Sequence, residues 1–113
     1  MPDIEKEKRI KKEIRRLNRI LGKGNPKVEA SKRLIENAAF LAVGLEDLKE
    51  EILETGWTEV YKNGENQTGR KKSAAADIYM TTYKNYLATV KQLAEIAPDA
   101  EAADELNLFN GIK

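Results

Sequence analysis

Ile10, Ile14, Leu17 and Leu21 recur at the i, i+4, i+7, i+11 spacing of one helical face, and most residues between them are charged. This predicts an amphipathic helix over about Asp3 to Leu21. Gly22-Lys23-Gly24-Asn25-Pro26 then stops it, since two glycines and a proline cannot continue a helix, and that stretch is the best hinge in the chain. A second helix is expected over Lys27 to Val43, with Leu34, Ala38, Leu41 and Ala42 facing inward and Phe40 as a bulky anchor. Gly44 interrupts the pattern. Glu46 and Asp47 then stand in what reads as a new first turn, where the helix dipole favours acids, so a short third helix is expected from Leu45 to about Thr55. Gly56 closes it in the position favoured by a residue of positive φ.

The pattern then changes. Trp57-Thr58-Glu59-Val60-Tyr61 is β-branched and aromatic, and Asn63-Gly64 is a strong hairpin signal. The returning limb, Glu65 to Lys72, is polar and weak as a strand. A lone hairpin is marginal in water, so this one is expected to pack on the helices or to pair with another subunit. Ser73 is placed to cap a long helix over Ala74 to about Ala97, about 35 Å in length. Its main stripe is Tyr79, Tyr83, Tyr86, Val90, Leu93 and Ala97, widened by Ile78, Leu87 and Ala94. Pro98 closes it. The tail beyond is acidic and then apolar, and reads as one short helix or as a segment disordered when free. The expected fold is mainly α: a helical bundle with a long C-terminal helix and one short β-hairpin inserted between helices. It divides into a basic N-terminal helix and hinge (1–26), a helix–hairpin–helix core (27–97) and an acidic tail (98–113).

A length of 113 residues with 41% hydrophobic and 35% charged residues bounds this to one surface-rich domain, for which oligomerisation is a real prior. The absence of cysteine excludes a disulfide framework and thiolate metal sites, and fits a reducing cytosol. No stretch approaches the roughly 20 apolar residues of a bilayer span, and the N-terminus does not read as a secretory signal. A cytoplasmic location is expected, with no membrane partner. The net charge of +1 hides an alternation: +7 over residues 1–33, −5 over 34–54, +3 over 55–92 and −4 over 93–113. Such a layout suggests surfaces with different partners, or copies that attract head to tail.

Catalytic equipment is missing. With no histidine and no cysteine, the commonest general base and the thiol nucleophile are both absent. Gly22-x-Gly24 follows a helix instead of joining a strand to one, so it is no phosphate loop. Glu46, Glu50, Glu51 and Glu54 read as a solvated helix face sooner than as a cation site. The expectation is a non-enzyme without cofactor or metal.

Binding chemistry is better represented. Lys8, Lys12, Arg15 and Arg19 form a helical stripe that Lys11 and Arg16 broaden and Lys23 extends, and such a stripe can neutralise several phosphates. The same stripe also suits acidic proteins, membranes or mere solubility. Arg70, Lys71 and Lys72 form a second basic cluster, as a DNA contact or a solubilising turn. Phe40, Trp57, Tyr61, Tyr79, Tyr83 and Tyr86 are candidate oligomer-interface residues, the helical spacing of the tyrosines favouring packing over base stacking. Leu106, Leu108, Phe109 and Ile112 read as a docking peptide or as an untethered terminus.

The order of elements is itself informative. Leu-Ile-Glu-Asn-Ala-Ala-Phe at 34–40 is followed by Leu-Glu-Asp-Leu at 45–48 and by Gly-Trp-x-Glu-x-Tyr-x-Asn-Gly-Glu-Asn-Gln at 56–67. Lys71-Lys72-Ser73, Tyr79, Asn85-Tyr86 and Lys91-Gln92-Leu93 come after. This series, a little over half of the chain, resembles small terminase subunits of tailed phages and prophages of Gram-positive bacteria. The resemblance implies an oligomeric adaptor, assembled as a ring, that recognises viral DNA and presents it to a large subunit carrying the ATPase and nuclease. It also implies that the helix–hairpin–helix core drives assembly and that a terminal segment meets the large subunit. The basic helix as DNA contact is argued from charge alone. The alternative is an oligomeric helical scaffold without a nucleic-acid role, its basic helix pairing with acids of a neighbour. A small transcriptional regulator is weaker, since no clear helix-turn-helix pair is present.

Overall fold

The computed structural model describes residues 3–22, 25–62, 64–65 and 67–109, and over 107–109 the backbone only. Helix α1 (Ile4–Leu21) starts where the Asp3 carboxylate accepts the Lys6 amide at 3.0 Å, and ends at Gly22 with φ 96°. Leu17, Ile20 and Leu21 are buried and Ile10 and Ile14 pack beside them, so the apolar stripe predicted from spacing is the face that α1 uses. A short helix α2 (Pro26–Ala30) follows, with the Asn25 side chain accepting the Lys27 amide and Pro26 at its first position.

Helix α3 (Lys32–Thr55) corrects two expectations. The chain breaks at Ser31, and then runs helical without interruption through Gly44. A single interior glycine costs about 1 kcal/mol relative to alanine. Burying Val43 and Leu45 on either side of it gains about 1.5–3 kcal/mol for each side chain, so packing overrides the weak residue. Phe40 is no inward anchor either, being 59% exposed. The core face of α3 is built from Ile35, Ala38, Ala39, Ala42 and Val43, and Phe40 is turned about 100° away from Ala39. Helix α3 ends as expected at Gly56, φ 89°.

Strands β1 (Thr58–Lys62) and β2 (Thr68–Lys72) pair antiparallel, with Thr58 opposite Lys72 and Lys62 opposite Thr68. The connection therefore spans 63–67, with Gly64 at φ 86°; Asn63 lies outside the described residues. Every strand residue except Gly69 is exposed, so the strands do not lie on the helices. The hairpin is anchored at its root. The Ser73 amide donates to the Trp57 carbonyl at 2.9 Å, the Ser73 hydroxyl donates to the Gly56 carbonyl at 3.3 Å, and Trp57 meets Tyr79 edge-on at 6.0 Å.

Helix α4 (Ala74–Glu95) is capped by Ser73, whose oxygen accepts the Ala76 amide at 3.1 Å. Tyr86, Val90 and Leu93 are buried and Tyr79, Tyr83, Leu87, Ala94 and Ala97 partly so; Ile78 departs from the expected stripe and is exposed. Helix α5 (Ala100–Phe109) begins at Asp99, which accepts the Ala102 amide at 2.8 Å. One main core draws on all three stretches of the chain: Leu17 and Leu21 from α1, Ile35 and Ala39 from α3, Val90 and Leu93 from α4, and Leu106 from α5. A smaller cluster of Ile52, Ala75 and Ala76 lies where α3 and α4 flank the hairpin. The molecule measures 63 × 33 × 21 Å. No helix among the described residues is long and apolar enough to cross a membrane.

Candidate nucleic-acid interface

The core face of α1 fixes where its cations point. With Leu17 as the centre of that face, Lys8, Lys11, Lys12 and Arg15 fall on the opposite side, within about 100° of arc at 100° per residue. All four are exposed and, among the described residues, none has an ion-pair partner. Between this row and the core lies a second set of cations that is already engaged. Lys6 reaches Asp47 at 3.1 Å; Arg9 reaches Asp47 at 2.8 Å and Glu46 at 3.3 Å; Arg16 forks onto Glu13 at 2.8 and 3.0 Å. Arg19 lies 3.7 Å from Glu105 on α5. The stripe expected from the sequence is thus divided by tertiary structure: Lys8, Lys11, Lys12 and Arg15 remain available, while Arg16 and Arg19 are paired. Lys23 lies outside the described residues.

The paired set explains how so basic a helix docks. Asp47 takes two cations from α1, and these hydrogen bonds, Arg9 first, hold its carboxyl below the usual range; Asp47 in turn raises Arg9. Glu13 is only 7% exposed. Burial pushes its carboxyl up and the Glu46 charge adds to this, while Arg16 pulls it back down. Tyr86, on α4, is 3% exposed and its phenol is pushed well above the usual range, first by burial and then by the charge of Glu13. Above these groups an open cleft of ≈ 840 Å³ separates α1 from α3, lined by Arg9, Lys12, Glu13, Arg15, Arg16, Arg19, Val43 and Glu46. Five of the eight lining residues are cationic, so the cleft continues the positive surface of α1 inward.

Arg70, Lys71 and Lys72 do not act as one cluster. Arg70 donates to the Thr58 hydroxyl at 2.8 Å, Lys71 sits 3.6 Å from Glu59 on the other face of the hairpin, and Lys72 lies 3.3 Å from Asp77. Lys62, which sequence reasoning passed over, shares the face of Arg70 and Lys72. Strand alternation signals that placement once the pairing of Val60 with Arg70 is known.

The candidate interface aromatics divide in the same way. Phe40 and Trp57 are exposed at 59% and 55%, and Tyr61 is exposed on the hairpin. Tyr79 and Tyr83 are half-buried and stacked at 5.9 Å with an interplanar angle of 6°. Tyr86 is a correction, since a fully packed core side chain offers no surface to another subunit. Leu106 is a second correction: it is 1% exposed in the main core, so it is not a free docking residue. Helix α5 is amphipathic enough to bury Ala102 and Leu106 together at i, i+4 spacing, and intramolecular docking uses the apolar group that reads as a partner motif. The side chains of Leu108 and Phe109, and all of Ile112, lie outside what the structure describes.

Residues missed by sequence reasoning are Arg9, Glu13 and the Glu46–Asp47 pair as its partners. For Arg9 the only signal is opposite charge on two helices, which has no force until the helices are known to be neighbours; for Glu13 the i,i+3 spacing to Arg16 on the same helix is a signal the sequence carries. Among the described residues there is no group of His, Cys, Asp or Glu placed to hold a metal ion. Comparison with protein-family models, curated proteins and solved structures finds no match to this chain.

Proposed function

We propose that this chain is a non-catalytic, DNA-binding adaptor that assembles into a ring and presents viral DNA to a separate large terminase subunit, which supplies the ATPase and nuclease. The reading joins the resemblance to small terminase subunits with one observation, the row Lys8, Lys11, Lys12 and Arg15 on the solvent side of α1. Four cations spanning about 10 Å of helix axis suit the phosphates along one groove edge. Because none is neutralised among the described residues, each is available to displace condensed counterions from DNA. The docked set beneath them, from Lys6 to Arg16, holds the helix in place.

The test is fluorescence anisotropy with a labelled duplex across a salt series, alongside native mass spectrometry. Four phosphate contacts give a log–log salt slope steeper than about −3, or roughly a hundredfold loss of affinity between about 50 and 200 mM salt. The variant K8Q/K11Q/K12Q/R15Q flattens that slope by about 4. A monomer that ignores duplex DNA at low salt sinks the reading.

The scaffold alternative is favoured by the exposed apolar side chains Phe40, Leu53, Trp57, Val60, Ile78 and Met80. It asks the basic helix to pair with acids of a neighbouring copy. Glu46, Asp47 and Glu105 are engaged within the chain, so that pairing would have to use other exposed acids, such as Glu50, Glu51, Glu54 and Glu101.

A further inference from the structure

The hairpin has two chemically different faces. Residues paired across an antiparallel ladder share a face, so Thr58 with Lys72, Val60 with Arg70, and Lys62 with Thr68 make up one side. The other side carries Glu59 with Lys71 and Tyr61 with Gly69, and the Tyr61 ring covers the glycine. On that second side the Lys71–Glu59 pair cancels its own charge. The first side holds three cations and no strand carboxylate. Its remaining positions, two threonines and a valine, are small. All six residues are exposed, and among the described residues Lys62 and Arg70 form no ion pair. The Thr58 hydroxyl holds Arg70 at 2.8 Å, which limits the freedom of the guanidinium.

Dimensions narrow the occupant. Five-residue strands run about 17 Å with about 4.8 Å between them. The major groove of B-DNA, about 12 Å wide and 8.5 Å deep, admits such a two-stranded ribbon. An apolar partner fits this face poorly, because it strands the Lys62 and Arg70 charges on burial. A second copy of the chain would have to supply acids that match Lys62 and Arg70.

We infer that the Thr58–Val60–Lys62 and Thr68–Arg70–Lys72 face of the hairpin enters the major groove of duplex DNA. Arg70 is the base-edge donor, suited to the O6 and N7 acceptors of guanine, and Lys62 meets a flanking phosphate, while Lys72 at the root stays paired with Asp77. This deepens the adaptor reading and rests on it: α1 supplies sequence-blind affinity, and the hairpin supplies discrimination.

The experiment uses the full chain with a guanine-containing duplex, combining the anisotropy salt series with dimethyl sulfate protection of guanine N7. The variant K62Q/R70Q is expected to flatten the salt slope by about 1, for the lost Lys62 phosphate contact, and to abolish N7 protection. K62Q alone flattens the slope by about 1 and keeps the protection, while K71Q, on the opposite face, changes neither. If K62Q/R70Q binds and protects like wild type, or K71Q weakens binding equally, the groove assignment is overturned and the adaptor reading stands. If K62Q/R70Q dissociates the oligomer without altering DNA binding, the face is a contact between copies and the assignment is likewise overturned. If the wild-type chain binds no duplex at low salt, both fall together.

Discussion

Leu106→Ala tests whether the C-terminal helix belongs to the core or waits for a partner. Leu106 is 1% exposed, and its neighbour one turn earlier, Ala102, is 7% exposed; together they seat α5 against α4 and α1. Removing three methyl-equivalent carbons from such a site costs about 2–5 kcal/mol, the higher end applying where the cavity cannot collapse. Helix α5 has ten residues and stands at the end of the described chain, so it has a cheaper response than global unfolding. It can undock, and the loss saturates at whatever docking contributes. At about 4 °C per kcal/mol for a domain of this size, Tm should fall by about 8–20 °C if the cavity is retained, and by less if the helix detaches. Hydrogen exchange with mass spectrometry separates these cases, since undocking deprotects peptides over 100–109 while α3 and α4 stay protected. Glu105→Gln is the control. The Arg19–Glu105 pair is solvent-exposed on both sides and contributes little. A Tm within about 2 °C of wild type together with unchanged exchange in α5 would refute the packing argument, and a docking role for Leu106 would return.

Three further outcomes follow from local features. Ser73→Ala removes the oxygen that accepts the Ala76 amide and should cost about 1 kcal/mol, read as a lower urea midpoint at constant m-value. Gly44→Ala should stabilise by about 0.5–1 kcal/mol, because the added methyl meets nothing within 4 Å and α3 is helical there; a loss of stability would mean that the helix is broken at that point. Urea titration across acid pH should show two opposed contributions. The lowered Asp47 carboxyl adds stability that is present above its ordinary value of 3.8 and lost as pH falls through the folded value, so Asp47→Asn flattens the acid limb. The raised Glu13 carboxyl works the other way: its stability is present below the ordinary 4.5 and lost as pH rises through the folded value, so Glu13→Gln removes that decline. A Glu13→Gln profile identical to wild type would show that the carboxyl is solvated.

What the sequence made legible is what local chemistry determines. Asp3 and Ser73 cap through their own side chains, Gly56 takes positive φ, and the Ile10-to-Leu21 spacing names the buried face of α1 before any neighbour is known. Gly44 and Phe40 are not legible in this way, because their placement depends on what lies across from them. Ala38, Ala39 and Ala42 are buried, and that alanine stripe, not the largest side chain, sets the inward direction. The candidate site is legible to the same extent. Charge density on α1 is visible in the sequence, but which cations remain free depends on Glu46, Asp47 and Glu105 arriving from two other helices. Strand alternation is local and legible, yet the cationic face of the hairpin needed the pairing of Val60 with Arg70, which follows from the length of the 63–67 connection.

The root of the hairpin has a consequence for how this protein can vary. The Trp57 carbonyl and the Ser73 amide meet at 2.9 Å, so the chain returns to the point from which it left the helices. For α3 and α4 the whole excursion over 58–72 is equivalent to a short closed link. Lengthening or shortening it by one residue on each strand would move the tip by about 3.4 Å and displace no core side chain. Each such step also exchanges the two faces at the tip. The reach of the ribbon and the side it presents can therefore drift between related chains while the helical frame stays the same.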